Sequence, residues 1–443
     1  MQIILIIILS FFIQACAGNK PSTIAQQDID PFWYNFADPK LNDLVKEALN
    51  ANSDVLMAMV NISKAQAALQ TSEANRLPEI DLQGSASKSR DSENMLSTFV
   101  HKPYNSFNLS AVLSYQVDLW GKMANANKAA KAQLLSLEST KRAVKITIAS
   151  EVSKAYFNLI GLDDKIRITS SLVNLADNLY KLKLKQLREG VIDNSNVQRA
   201  KSQLHLANSQ LLNLKRQLNN QENALAIILG RDISLSSIIR GKDLENFAII
   251  KLPDNLSSKI LLKRPDIMAA EQMLIAAKYQ VKVARASYFP EISLNSLFGL
   301  SSNDLNELFT SKSRARNFGT NVMIPTLNFG RIDANVQYAE ATKSQYIIEY
   351  QQTVRVAFAE ALTSIYAQKN SCENFIQMKY NEQSIKKLYN ITNKQLKVGL
   401  IDYITTIEEE KNFLATKIDV VDAAQLRVNS TVDVFKAFAG NFE

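Results

Sequence analysis

Histidine and cysteine, the side chains that most often serve as general bases, nucleophiles or metal ligands, are scarce in this sequence. The chain of 443 residues contains two His, at 101 and 205, and two Cys, at 16 and 372. The sequence therefore has too few His and Cys residues to form a Ser-His-Asp triad, a His/Cys metal site or a disulfide framework. The sequence predicts a protein that is not an enzyme and that holds no metal or diffusible cofactor.

Cys16 stands apart because it follows an apolar segment near the N-terminus. Residues 3–13 read IILIIILSFFI, and these 11 residues are too few to span a bilayer, which takes about 20. Ile13-Gln14-Ala15-Cys16 resembles the bacterial lipobox. Residues 1–15 are therefore predicted to be a lipoprotein signal peptide, and Cys16 to carry a covalent lipid as the first mature residue. The alternative is a plain signal peptide that is cleaved elsewhere.

The composition favours long helices. Only 12 Gly and 9 Pro punctuate the chain, and the segment 121–188 contains no Pro and one internal Gly, at 161. At 1.5 Å per residue such a helix reaches on the order of 100 Å. The net charge of +8, from 51 basic and 43 acidic residues, is spread along helical stretches. This pattern is typical of solvated helix faces and argues against a nucleic-acid partner.

An internal repeat shows that the chain is duplicated. KQLREGVID at 185–193 matches KQLKVGLID at 394–402, and LWGK at 119–122 matches NFGR at 328–331, both at an offset of 209 residues. We therefore expect two structural repeats and no separate globular domains. The predicted parts are the signal peptide 1–15, a first repeat over 16–230, an equatorial connection over 231–253 and a second repeat over 254–440.

Each repeat contains two segments in which apolar and polar residues alternate, which predicts strands with one apolar face. The four predicted strands are 80–87, 107–117, 292–300 and 318–327. Four strands are too few to close a barrel, since about eight is the smallest workable number. If the apolar face meets lipid, several subunits must share one barrel; a soluble sandwich is the alternative.

The helix after each long helix carries an apolar residue at every seventh position, which requires a partner helix along its whole length. The two sets are Val197, Leu204, Leu211, Leu218 and Leu225, and Ile407, Leu414, Val421, Val428 and Phe435. Antiparallel helix pairs follow, with Gly190 and Gly399 as left-handed helix ends. A filled soluble bundle remains the competing architecture at this point.

Segments 32–55 (FWYNFADPKLNDLVKEALNANSDV), 264–294 (RPDIMAAEQMLIAAKYQVKVARASYFPEISL) and the two KQL segments resemble the TolC-like outer-membrane efflux proteins. The lipobox points to their lipoprotein branch, which serves multidrug pumps. The resemblance implies a mainly α fold with a membrane β-barrel: a homotrimer whose long coiled-coil helices form an α-barrel across the periplasm. Four strands per protomer would build a shared 12-stranded β-barrel in the outer membrane.

The resemblance also implies the functional residues. Ile404 and Glu408, one helical turn apart, correspond to the periplasmic aperture, where three copies give an apolar ring and an acidic ring. The family usually has Asp at the position of Glu408, and a solvated Glu is the simpler interpretation. The predicted adaptor-docking tips are Gly190, Val191, Ile192, Asp193, Gly399, Leu400, Ile401 and Asp402. A local apolar contact over each helix end is the alternative for the aliphatic tip residues.

The function implied is a passive outer-membrane exit duct for drugs or other small molecules, with a periplasmic adaptor (membrane fusion protein) and an inner-membrane transporter as partners. A duct for peptide or protein secretion is one alternative, and a periplasmic coiled-coil scaffold lipoprotein without a pore is another. Loops near 88–104 and 301–317 are expected outside the cell, the second carrying Lys312, Arg314 and Arg316.

Overall fold

The computed structural model describes residues 31–90, 103–232, 238, 240–241, 244–247 and 258–440. The predicted signal peptide, the lipidation site Cys16, His101 and most of the connection over 231–253 lie outside the described residues.

The first repeat begins with a short 3-10 turn and continues through helices and a strand pair. Its elements are the turn Phe32–Phe36, α1 (Pro39–Ala51), α2 (Ser53–Ala74), β1 (Glu79–Ser89), β2 (Tyr104–Val117), α3 (Lys122–Arg188) and α4 (Asn194–Leu229). Gly230 follows α4 in the left-handed region, with φ 71°. Helix α3 is a single helix of 67 residues, as its sequence predicts.

The second repeat has the same order of elements. They are α5 (Ser258–Leu261), α6 (Pro265–Ala286), β3 (Glu291–Ser302), β4 (Arg314–Met323), α7 (Arg331–Lys397) and α8 (Tyr403–Ala437). Single 3-10 turns lie at Leu244–Asn246, Leu305–Glu307 and Ser311–Ser313. Helix α7 has 67 residues, the same length as α3.

The four strands form one antiparallel sheet in the order β1-β2-β3-β4, so that β1 and β4 are its edges. The prediction for the last strand is wrong in its bounds, because β4 begins at Arg314 and ends at Met323 instead of covering 318–327. Its pairing ends where Met323 faces Glu291, the first residue of β3. Pro325, two residues further on, has no N–H to continue a ladder. Arg314 and Arg316 therefore belong to a strand and not to the predicted loop.

The predicted alternation is confirmed by the register. Leu82 pairs with Ala111, Ala111 with Phe298, and Leu294 faces Tyr115, so one face of the sheet is apolar. Its exposed members include Leu82, at 83%, and Phe298, at 70%. The other face is polar. There the amide of Asn108 donates to Ser85 Oγ at 3.3 Å and accepts from Ser301 Oγ at 2.7 Å.

The helices lie side by side in the order α4, α3, α8, α7. Helix α3 packs on α4 and on α8, and α7 packs on α8. The remaining helices cover one end of this layer, where α1, α2 and α6 pack on α3 and α6 also packs on α7. Among the described residues, no helix combines the length and apolar content needed to cross a membrane.

The main core lies where the short helices cover the long ones. Phe32 stacks on Phe435 with ring centroids 5.0 Å apart, and Phe36 meets Phe157 edge to face at 5.1 Å. Ile238, Leu244 and Phe247, the described apolar residues of the connection, are buried in the same cluster. The connection therefore packs on the first and the last long helix at once.

A buried hydroxyl ties this connection to the first repeat. Tyr156 Oη donates to Asp38 Oδ2 at 2.7 Å and accepts from the backbone N–H of Gly241 at 2.8 Å. Asp38 in turn accepts from the backbone N–H of Lys40 as the N-cap of α1. A Cβ at residue 241 would lie 2.4 Å from Asp38 Oδ2, so a larger residue here would displace the Asp38 carboxylate.

Candidate functional site

The turns that join α3 to α4 and α7 to α8 have the same geometry. Gly190 and Gly399 adopt φ 72° and 75°, a left-handed conformation that glycine reaches without strain. The next residue in each turn, Val191 or Leu400, donates its backbone N–H five residues back, both at 2.9 Å. This is the Schellman pattern, and it confirms the predicted helix ends. We call residues 190–193 and 399–402 the tips.

Asp193 and Asp402 close each tip by capping the helix that follows. Asp193 Oδ1 accepts from the hydroxyl of Ser195 at 2.7 Å and from the backbone N–H of Asn196 at 3.2 Å. Asp402 Oδ1 accepts from the hydroxyl and the backbone N–H of Thr405 at 2.6 and 2.8 Å. These hydrogen bonds hold the pKa of each carboxyl below its usual value. Both carboxylates therefore have a structural role at the tips.

The aliphatic tip residues divide into two exposed and two half-buried side chains. Val191 is 69% exposed and Leu400 is 74% exposed. Ile192 and Ile401 are half-buried. Each tip thus combines one half-buried aliphatic side chain with one that is mostly exposed to solvent. The positive charge of Lys183 on α3 also lowers the pKa of Asp402, after the Thr405 hydrogen bonds.

Glu408 lies on an exposed polar stripe of α8. The stripe follows helical spacing along the helix and contains Glu408, Asn412, Ala415, Asp419, Asp422 and Leu426, all exposed. Ile404 lies one turn before Glu408 on the same side and is half-buried. Asp422 forms an ion pair with Lys165 of α3. Glu408 thus begins a solvent-exposed polar stripe, half of whose six residues are acidic, that continues along α8 away from the tip.

Helix α7 has an apolar stripe that faces away from the rest of the chain, which the sequence analysis missed. Its members recur at intervals that fit a repeat of about 3.5 residues. They are Tyr338, Ile348, Val356, Leu362, Tyr366, Ile376, Tyr380, Leu388 and Ile391, each at least 43% exposed. On the side that packs on α8, α7 instead buries small or polar residues such as Ala361, Ser364 and Ser371.

The opposite flank of the helix layer also exposes apolar side chains. On α4 these are Leu206, Leu212 and Ile227, which are 61%, 67% and 63% exposed. Both flanks of the helix layer and both edges of the sheet therefore lack partners among the described residues. His205 is exposed on α4, and Cys372 is a free, half-buried thiol within α7.

The junction between helices and sheet is built from aromatic and charged side chains. Trp120 stacks on Phe289 with ring centroids 4.7 Å apart, and Trp120 Nε1 donates to the carbonyl oxygen of Pro290 at 2.8 Å. Lys122 Nζ lies 2.6 Å from Glu291 Oε1. These contacts join the residues after β2 to the start of β3, so the two repeats are held together at the helix end of the sheet.

A duplicated chain with two strand hairpins, two long helical hairpins and paired tips is the architecture of an outer-membrane efflux channel. The family described as "Outer membrane efflux protein" matches residues 44–231 and 256–440. The chain belongs to this family, which confirms the family predicted from the sequence. It is an outer-membrane efflux channel that extends into the periplasm.

Individual relatives agree with this assignment. The chain is 29% identical to the probable outer membrane lipoprotein SilC of Salmonella typhimurium over 417 residues, which is 93% of this chain and 88% of SilC. It is 28% identical to the cation efflux system protein CusC of Escherichia coli O157:H7 over 410 residues, 92% of this chain and 87% of CusC. The CmeC outer membrane channel of Campylobacter jejuni has a similar structure, with TM-score 0.88 and 28% identity, covering 96% of this chain and 91% of CmeC.

Proposed function

We propose that this chain works as a homotrimer, the exit duct of a tripartite efflux system, and that transport through it is passive and involves no catalysis. The observation that carries the proposal is the pair of open flanks. The exposed stripe of α7 ends one side of the layer and the exposed residues of α4 end the other. Copies arranged in a ring would cover both flanks at each joint.

The sheet supports the same ring. Strands β1 and β4 are its two edges, and unpaired strand edges need a partner. In a ring, β4 of one copy would pair with β1 of the next, which places the apolar face outward towards lipid and the polar face towards the lumen. The same rotation would therefore close the strand layer and the helix layer together.

We propose Ile404 and Glu408 as the periplasmic aperture. The support is their position on one side of α8, directly after the tip, where the exposed polar stripe of α8 begins. Three copies around an axis would form an apolar constriction and an acidic ring, which prefers cations. Single-channel conductance in planar bilayers tests this with wild type, Glu408→Ala and the double variant Ile404→Ser/Glu408→Ala.

A small cation-preferring conductance in the wild type that rises in the double variant is the expected result. If all variants insert as trimers but conduct alike, the aperture lies elsewhere. If no variant inserts, the scaffold function becomes the better account of the chain. A secretion duct would show the same gating, and cargo-dependent resistance of cells that carry the matching pump separates the two.

We propose that the tips dock the hairpins of the periplasmic adaptor through Val191 and Leu400, whose apolar side chains are largely exposed. The inner-membrane transporter would then deliver cargo, either small molecules such as drugs or cations, since CusC is named a cation efflux system protein. Val191→Asp/Leu400→Asp should abolish binding of the purified adaptor, whereas Val191→Ile/Leu400→Ile should keep it. Equal binding by both variants would contradict this docking mode.

We propose that a diacylglycerol on Cys16 anchors the mature N-terminus in the outer membrane. The support is the lipobox-like sequence together with the name of SilC, which is that of a lipoprotein. Intact mass measurement of the purified chain and of Cys16→Ser tests this directly. A wild-type mass that lacks the lipid would refute it.

A further inference from the structure

Three basic residues interrupt the apolar face of the sheet at the end that is remote from the helices. Lys88 lies near the end of β1, and Arg314 and Arg316 lie at the beginning of β4. Arg316 pairs with Phe298 and Arg314 with Leu300, so both arginines share the apolar face. Lys88 follows Leu82 by an even number of residues and has the same orientation. We call Lys88, Arg314 and Arg316 the distal basic set.

The distal basic set is exposed and its charges are not neutralised by the described part of the chain. All three side chains are solvent-exposed, and none of the carboxylates in the described ranges forms an ion pair with them. Their apolar neighbours are exposed as well, with Phe298 at 70% and Phe318 at 74%. This face therefore carries three exposed positive charges directly beside apolar side chains that can contact lipid acyl chains.

Position along the sheet indicates what these cations meet. A Lys or Arg on the lipid-facing side of a membrane sheet is strongly unfavourable at the bilayer midplane and is tolerated near the interfaces. The side chains closer to the helices on this face, such as Ile292, Leu294 and Tyr115, are uncharged. The distal basic set therefore lies at the height of the headgroups, and the long stems of its side chains can extend further towards water.

The side chains of the distal basic set favour a phosphate group as their ligand. Arginine presents a planar fork of N–H donors that matches two phosphate oxygens, and lysine adds a compact positive charge. Lys88 lies on one edge strand, and Arg314 and Arg316 lie on the other. In the ring proposed above, Lys88 of one copy would lie on the strand next to the arginines of its neighbour. Each joint would then collect three cations from two chains.

We propose that the distal basic set forms a binding site for a phosphorylated lipid headgroup at each joint between copies, three per trimer. The site holds the headgroup through the two guanidinium groups and the ammonium group while the acyl chains lie along the apolar face beneath. This inference rests on the proposed trimer, because a single chain places Lys88 and the arginines on opposite edges of the sheet.

Native mass spectrometry of the detergent-purified full-length trimer with lipid A, which carries two phosphates, tests the proposal. The variant is Lys88→Ser/Arg314→Ser/Arg316→Ser. The control removes the same charge from exposed helix positions, Lys64→Ser/Lys278→Ser/Lys436→Ser. A basic residue near an anionic lipid surface is worth about fivefold in affinity, so the triple variant should bind roughly a hundredfold more weakly. The control should bind up to three lipid A molecules, as wild type does.

Three results would overturn the site. The triple variant could bind lipid A as tightly as wild type, lipid A stripped of both phosphates could bind as tightly as the phosphorylated form, or inorganic phosphate at equal concentration could displace the lipid. If the triple variant does not assemble, Arg316→Lys keeps the charge and removes the fork, and it should still weaken binding. A monomeric wild type would instead refute the proposed trimer itself, which the mass reports independently of lipid.

Discussion

Leu362, in the middle of the exposed α7 stripe, allows the proposed assembly to be tested by one substitution. Its side chain is 68% exposed in the single chain, and its neighbour Tyr366 one turn later is equally exposed. Leu362→Ser removes apolar surface that has no partner within the described residues of the chain. The substitution should therefore leave the fold of the chain unchanged and weaken only the contact between copies.

The expected magnitude follows from the exposed fraction. Complete burial of a leucine side chain is worth about 1.5–3 kcal/mol. Covering the exposed 68% of Leu362 then stabilises the joint by about 1–2 kcal/mol per copy. Three equivalent joints lose this contribution together, about 3–6 kcal/mol, which lowers the trimer formation constant roughly 10²- to 10⁴-fold.

Mass photometry of a dilution series in detergent measures the trimer fraction. The matched control is Leu426→Ser, which changes a leucine that is 56% exposed on the polar stripe of α8. Leu362→Ser should dissociate at higher protein concentration than wild type, and Leu426→Ser should not. If the two variants behave alike, or if Leu362→Ser retains the wild-type trimer fraction, the α7 stripe is not the subunit joint.

Three further substitutions test the cap, the tip and the buried hydroxyl. Tyr156→Phe leaves the buried carboxylate of Asp38 without one hydrogen-bond donor, so it should lower the free energy of unfolding by about 2 kcal/mol in thermal or urea unfolding. Tyr338→Phe, at an exposed position, should leave the free energy of unfolding unchanged. Equal stability of the two variants would refute the buried hydrogen bonds. The pKa of Asp402 is lowered in the fold, so its cap stabilises α8 fully above the unfolded pKa of about 3.9 and is lost as the pH falls through the folded pKa. The protection of the amides at the start of α8, which is the unprotected exchange rate at the same pH divided by the measured rate, should therefore fall in acid for wild type and stay constant for Asp402→Asn. The same fall in both would contradict this role. Gly399→Ala places a residue with a Cβ at φ 75°, a left-handed conformation, and should destabilise the tip by about 1 kcal/mol. Limited proteolysis should then cleave the tip faster than in wild type. An unchanged cleavage rate would show that the turn adopts another conformation without this cost.

Local features of the fold could be predicted from the sequence because they depend on residues close together in the chain. The absence of Pro and the scarcity of Gly predicted the single long helix α3, and the glycines at 190 and 399 predicted both tip turns. Alternation of apolar and polar residues predicted all four strands. The last strand was misplaced because its bounds depend on where β3 offers hydrogen-bond partners, which β4 itself does not encode.

The candidate site divides in the same way. The tips were predicted since glycine and a capping Asp act within a few residues of each other. The distal basic set could not be predicted, because Lys88 and the two arginines are more than 200 residues apart and meet one face only through the sheet register. The position of Glu408 on the exposed polar stripe likewise depends on which side of α8 the neighbouring helices cover.

Helix α7 shows what only the tertiary structure decided. Its sequence contains large apolar residues on one side and small or polar ones on another, and a rule of apolar-inside would bury the first group. Within the chain the structure instead leaves the large apolar residues exposed and buries the small or polar ones, because α8 packs closely against Ala361, Ser364 and Ser371. The sequence by itself determined the long helices and their tip turns, through short-range hydrogen bonding and backbone conformation, but not the bounds of β4. The packing of α8 determined which face of α7 remains exposed for the contact between copies that we propose.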